Sequence, residues 1–176
     1  MLDKDVLTQL VDRHLISDCL IRYARGVDRL DVGLIHSAFW EDAVNTHGPI
    51  SGTIEQFAKA WLPTQRPSDV YFHLISNQTI EIRGDLANCE AYFIAAVKNS
   101  DKELTELLGG RYIDEFQKRK DEWRIQARLV VIDWQGQMDG SGMAERISRR
   151  HHGARDKTDP SYDRPLIRRA ANPAGW

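Results

Sequence analysis

At Val70 the apolar period of the sequence changes, and that switch limits the folds open to the chain. Upstream of it the apolar residues recur at helical intervals, whereas downstream they fall into long β-type runs. Val70 to Arg83 and Leu86 to Lys98 read as strands joined by a tight turn at Gly84-Asp85. Leu107 to Arg119 and Trp123 to Trp134 read as a second hairpin across Lys120 to Glu122, with a bulge or sharp bend at Gly109-Gly110. Helices followed by a meander of long strands is an α+β plan. A strongly bent antiparallel sheet wrapped around the longest helix would leave a cone-shaped cavity between them, the natural place for a small ligand.

That longest helix spans about Asp5 to Val27, with room for a bend near Asp12 to His14. Ile16, Leu20, Tyr23 and Val27 form its apolar stripe. Asp28 fits this helix badly, because a carboxylate at a helix C-terminus faces the negative end of the macrodipole. Tyr23 and Asp28 lie about 140° apart on an ideal helix. They are therefore expected to share a pocket by the helix ending near Gly26. Asp31 is placed to cap a short second helix carrying Leu34, Ile35, Ala38 and Phe39, which Trp40 closes. Ala43 to His47 reads as a short strand before the turn residues Gly48, Pro49 and Gly52. Thr53 to Leu62 reads as a third helix stopped by Pro63, and Thr64 to Asp69 as loop.

The 176 residues suffice for one domain with a sizeable core. We expect it to occupy residues 1 to 140, with a basic extension from 141 to 176 packed on the domain or on a neighbouring subunit. Between Arg146 and Arg169 that extension carries eight Lys or Arg residues against three Asp. Interspersed Asp, Pro160 and Tyr162 favour a packed segment over a nucleic-acid patch, and no stacking aromatics accompany the charge. The net charge of −2 provides no field for nucleic acid or membrane. No window is apolar enough to span a bilayer, and the acidic start MLDKDVLTQL is unlike a signal peptide, so a cytoplasmic location is expected. Cys19 and Cys89 suggest neither a metal site nor a disulfide framework and read as small core residues. The Asn77-Gln78-Thr79 sequon carries little meaning without secretion.

Of six histidines, five have ordinary structural explanations: His14 and His36 on helices, His47 before a turn, His151 and His152 in the polar tail. His73 stands apart, inside the apolar strand run YFHLISNQTIEI. It could be a hydrogen-bonded core residue, and Asp28 could simply pair with an arginine. Together they point to a base, because a carboxylate fixes the imidazole tautomer and stabilises its protonated form. Trp40, Phe72 and Tyr92 are candidate cavity walls that also read as core. Arg111 and Arg128 could each point inward, toward an anionic substrate or Asp28, or outward, and the outer face is favoured for Arg128.

The helix ending in Tyr23-x4-Asp28, His73-x3-Asn77 on a strand, and the segments GGRYID and WRIQARLVVIDW resemble the SnoaL-like branch of the nuclear transport factor two superfamily. The likeness covers about Asp5 to Trp134, and Asp159-Pro160-Ser161-Tyr162 fits the same group. It implies a cystatin-like, cone-shaped α+β barrel, assembled as a dimer or trimer, with no metal or organic cofactor. Asp28 and His73 resemble the Asp-His dyad of hexachlorocyclohexane dehydrochlorinase and scytalone dehydratase, and with Tyr23 they resemble the trio of bile-acid 7α-dehydratase. The second, deeper histidine of scytalone dehydratase has no counterpart in the pattern. The resemblance implies a dehydratase-like lyase acting on a hydrophobic or cyclic carbonyl compound, with Tyr23, Asp28 and His73 catalytic. Trp40, Phe72, Asn77, Tyr92 and Arg111 would contact the substrate. The same fold also serves non-catalytic binding or assembly modules, isomerases and cyclases, and the small subunit of ring-hydroxylating dioxygenases.

Overall fold

A computed structural model describes residues 4–139 and 152–163. Helix α1 (Lys4–Asp28) leads into α2 (Val32–Ser37), β1 (Phe39–His47), the short strand β2 (Ile50–Gly52) and α3 (Ile54–Trp61), which a 3-10 turn at Leu62–Thr64 closes. Four long strands follow: β3 (Val70–Arg83), β4 (Leu86–Lys98), β5 (Leu104–Arg119) and β6 (Glu122–Asp139). The strand order is β2-β1-β6-β5-β4-β3. The sheet is strongly curved and stays open, with β2 and β3 at its edges.

Two departures from the sequence reading matter for the site. The sheet is mixed and not wholly antiparallel, because β1 pairs parallel to β6 through Val44 to Thr46 against Ala127 to Leu129. No hairpin joins those two strands, so nothing forces the antiparallel sense. Second, α1 does not end near Gly26. It continues to Asp28 and stops in a Schellman motif, with Leu30 at φ +50, Asp31 N–H donating to the Gly26 carbonyl and Leu30 N–H to the Val27 carbonyl. Gly26 serves close packing: a Cβ there would lie 2.8 Å from the backbone nitrogen of Ile35. Asp31 caps α2 as expected, accepting from Leu34 N–H at 3.3 Å.

The core lies between α1 and the inner face of the sheet. Strand β4 shows the clean alternation of a half-buried strand, with Ala87, Cys89, Ala91, Phe93, Ala95 and Val97 inward. Ile16, Leu20, Tyr23 and Val27 of α1 meet that face together with Tyr112, Phe116, Trp123 and Ile125. Cys19 and Cys89 are buried free thiols whose pKa values burial raises to about 11 and about 12. Gly109-Gly110 is a bulge, as its sequence suggested, and a second register shift at Glu115/Phe116 reverses which residues of β6 face inward.

Of the extension, residues 152–163 return to the α1–α2 junction. Arg155 is buried, donates to the carbonyls of Val27 at 2.9 Å and Asp28 at 3.3 Å, and covers the ring of Tyr71 at 3.9 Å. A cation on the last carbonyls of α1 offsets the dipole end that Asp28 occupies. Asp159 folds the segment. Burial raises its pKa, but hydrogen bonds from Ser161 and Ala154 N–H, with the nearby Arg29, outweigh that and hold it at about 2. Lys157 and Tyr162 reach Asp31. The remainder of the basic run lies outside the described residues.

Candidate active site

Asp28 occupies the last turn of α1, and His73 stands on the inner face of β3 opposite Ala95. The Asp28 carboxylate takes two bonds from one residue: Oδ1 lies 2.6 Å from His73 Nδ1, and Oδ2 accepts the His73 backbone N–H at 3.1 Å. Both side chains are largely shielded from solvent. The backbone bond fixes where the ring sits and the ring bond fixes its tautomer, with the proton on Nδ1 and the lone pair on Nε2. The misfit of Asp28 at its helix end is thus compensated locally by the strand.

Tyr23 enters the interior from another side of α1. Because α1 stays helical through Asp28, the curved sheet reaches the two residues with different strands, β3 at Asp28 and β5 and β6 at Tyr23. An aromatic chain spans the gap. The Tyr23 ring meets Tyr112 edge-on at 5.9 Å, Tyr112 stacks on Phe93 at 4.5 Å, and Phe93 faces His73 at 6.5 Å. Gly110 makes this possible, since a Cβ there would lie 2.9 Å from the Phe93 ring. Burial raises the pKa of the Tyr23 hydroxyl and keeps it a donor.

Arg128 is the sharpest correction. It was expected on the outer face and is wholly buried, its Nε and Nη2 donating to both oxygens of Asp114 at 2.7 and 2.6 Å. Burial works against its charge, and Asp114 more than restores it. Its guanidinium lies 4.4 Å from the ring centre of Tyr23 and 4.0 Å from that of Tyr112. Arg111 takes the opposite place, outward, clamped by Asp133 at 2.9 Å and Glu90 at 3.2 Å.

The other expected contacts are not brought to the dyad. Phe72 and Tyr92 are 57% and 43% exposed on the outer face, because they alternate with the inward His73 and Phe93. Asn77 is exposed in a bulge of β3 at φ +46. Trp40 lies between the guanidiniums of Arg119 and Arg124, at 4.8 Å from each, and donates to the Gln117 carbonyl. An open hollow of about 610 Å³ lies on this outer side, lined by Val44, Thr46, Glu90, Ile113 and Leu129 among others.

Two inward residues escaped the sequence reading. Asn45 is wholly buried, and His47 is held by Phe57, whose ring stacks on it at 5.2 Å. Burial, aided by the charge of Arg128, lowers the His47 pKa to about 4. A second histidine therefore does reach the interior, as a neutral ring. The signal was available in β1, where Ala43, Asn45 and His47 alternate with Val44 and Thr46, but hydrophobicity favoured the opposite face. Among the described residues no group of three or more His, Cys, Asp or Glu could hold a metal ion, and no helix is long and apolar enough to cross a membrane.

Comparison with known proteins bears on the same core. Residues 8–129 match the SnoaL-like domain. A hexachlorocyclohexane dehydrochlorinase of type 2 superposes with a TM-score of 0.69 at 20% identity, over 76% of this chain and 93% of that one. A scytalone dehydratase candidate from Novosphingobium aromaticivorans gives 0.68 at 19% identity, over 94% and 99%. The β subunit of a candidate aromatic-ring-hydroxylating dioxygenase from the same organism gives 0.59 at 18% identity, over 72% and 92%. Among curated proteins none matches the sequence significantly. At these identities the structural likeness speaks for the fold.

Proposed function

Because the chain belongs to the SnoaL-like domain family, we propose that it is a cofactor-independent lyase of the dehydratase type, acting on a hydrophobic or cyclic carbonyl compound. The observation that carries this reading is the doubly bonded Asp28–His73 pair, which leaves one imidazole nitrogen as a base in a water-poor interior. Nε2 of His73 takes the proton on the carbon next to the substrate carbonyl. That C–H electron pair moves toward the carbonyl oxygen as an enolate, and Tyr23 donates to the oxygen as charge gathers there. The enolate then collapses to a carbon–carbon double bond, the adjacent C–O bond breaks, and the leaving hydroxide takes the proton back from His73 to depart as water. Asp28 stabilises the imidazolium between the two steps. A positioned base of this kind supplies roughly 10² to 10⁴ in rate, and dipoles held in a dry interior supply more. Assembly as a homo-oligomer and a cytoplasmic location belong to the same proposal.

The test is turnover of a panel of cyclic β-hydroxy ketones, followed by the near-ultraviolet absorbance of the enone product. We expect turnover by the wild type and its loss, by at least about a hundredfold, in both His73→Ala and Asp28→Asn with melting temperatures retained. Undiminished activity in either folded variant would end this mechanism.

A further inference from the structure

Buried polar side chains normally find partners, so a cluster of unpaired ones marks a place built for something else. Three such residues meet on the inner face. Both amide atoms of Asn45, Nδ1 of His47 and Nη1 of Arg128 are buried with no hydrogen-bond partner among the described residues. Asn45 and Arg128 are direct neighbours across the parallel β1–β6 pair, and His47 follows two residues along β1 on the same face. Arg128 covers the ring of Tyr112 at 4.0 Å, and Tyr112 stacks on Phe93, which faces His73, so the aromatic chain joins the cluster to the dyad. Of the other such atoms, Arg29 Nε lies 3.3 Å from Asp159 and His36 Nε2 3.8 Å from Glu55, and the guanidiniums of Arg22 and Arg124 are held through Nη2 by the Ser37 carbonyl and Glu122.

The charge balance of the cluster decides what it can bind. Arg128 has already given its Nε and Nη2 donors to the one carboxylate that balances its charge, Asp114, in a pair with no solvent exposure on either side. Only Nη1 remains. Asn45 is neutral, and His47 is a neutral ring that can donate or accept. A carboxylate or phosphate brought here would be a second buried anion beside Asp114 with no matching cation, a costly arrangement. A neutral oxygen would satisfy the donors at no charge penalty, and the same donors would strengthen as negative charge developed on it.

Resting on the lyase reading above, we infer that Asn45, His47 and Nη1 of Arg128 form the polar end of the ligand site, which receives a neutral carbonyl or hydroxyl oxygen and rejects carboxylate substrates. The core around these groups includes the aromatic residues Phe93, Tyr112 and Phe57. The ligand is therefore an uncharged, largely hydrophobic molecule anchored by one oxygen. Its carbonyl lies at the Arg128 end, and the carbon that loses the proton faces His73.

Three bicyclic probes of nearly equal size test this by titration calorimetry on the full chain: 1-tetralone, tetralin and 1,2,3,4-tetrahydronaphthalene-1-carboxylate. The wild type should bind the ketone at least tenfold more tightly than either of the others. Asn45→Leu, which keeps the size of the side chain, should lower ketone affinity to that of tetralin while leaving tetralin binding unchanged. That variant should also melt at a higher temperature, because an unpaired buried amide is exchanged for hydrocarbon. A purely structural asparagine would melt lower when replaced. His47→Phe, which preserves the stack on Phe57, should reproduce the loss of ketone preference. Equal binding of all three probes, or tightest binding of the carboxylate, overturns the neutral-oxygen site while leaving an apolar ligand interior intact. Binding of none overturns this inference and the small-molecule lyase reading together.

Discussion

Arg111 and Arg128 sit on neighbouring strands, β5 and β6, and both are ion-paired, yet they have opposite fates. Arg111 lies on the outer face, with its guanidinium shared between Asp133 and Glu90 and open to solvent. Arg128 lies against α1, with a single bidentate carboxylate and no solvent exposure. The outer pair exchanges good hydration for a modest attraction and gains little. The inner pair has lost hydration entirely, so its partner is indispensable and its one unmatched donor is unusually demanding. The same residue type is surface electrostatics on one side of a single sheet and site chemistry on the other. The curvature of the sheet, more than the residue, makes the difference.

The comparison can be broken most directly at Asp114. Asp114→Asn would strand the Arg128 charge in the core and is expected to cost about 3 to 5 kcal/mol in urea unfolding. A loss below about 1 kcal/mol, typical of surface pairs, would erase the distinction between the faces. The next effect is read against pH. His47 is neutral in both folded and unfolded chains above its ordinary pKa of about 6.5. As pH falls from there toward 4 the unfolded chain takes up a proton that the folded interior refuses. Stability is therefore lost on acidification, by on the order of 3 kcal/mol at pH 4, and His47→Phe should remove that part of the slope. Identical slopes in the two proteins would mean that His47 is wetter than its surroundings indicate. Tyr23→Phe removes one hydrogen bond and not the base, so its turnover should fall about tenfold, well short of either dyad variant. Equal turnover would take Tyr23 out of the chemistry. At the small end, Arg111→Gln should leave both turnover and the unfolding midpoint within scatter of the wild type. A clear loss of turnover would restore Arg111 to the substrate site that its outward position denies it.

Much of the fold was legible because long elements obey one period at a time. Strands β3 and β4 and the Gly84-Asp85 turn run where their alternation and turn residues placed them, and α1 extends one residue beyond Asp5 and Val27 at its two ends. Asp28 and His73 were legible as misfits, a carboxylate at the wrong end of a helix and an imidazole in an apolar strand. Facing was harder. Two bulges in the β5–β6 pair each shift the alternation by one, so no count along β6 could say that Arg128 points inward. In β1 the hydrophobic pattern is inverted outright, with Val44 51% exposed and Asn45 0%. A local rule that fails in this way is expected where a sequence serves binding at the expense of burial. Gly26 was misread because close packing against α2, which requires the same small residue as an unwound turn, is invisible before the second helix is placed.

Arg155 ties the segment that follows the sheet to the end of α1 at the site. Its bonds to the carbonyls of Val27 and Asp28 span 128 and 127 residues, while α1 itself needs only local contacts. In a chain made from its N-terminus, the helix that carries Asp28 is therefore synthesised well before the segment that clasps its end. Contacts of such long sequence separation form late and slowly. The order of assembly is built into the topology: the dyad can meet once β3 is in place, but the electrostatic setting of Asp28 is complete only after residue 155 has docked.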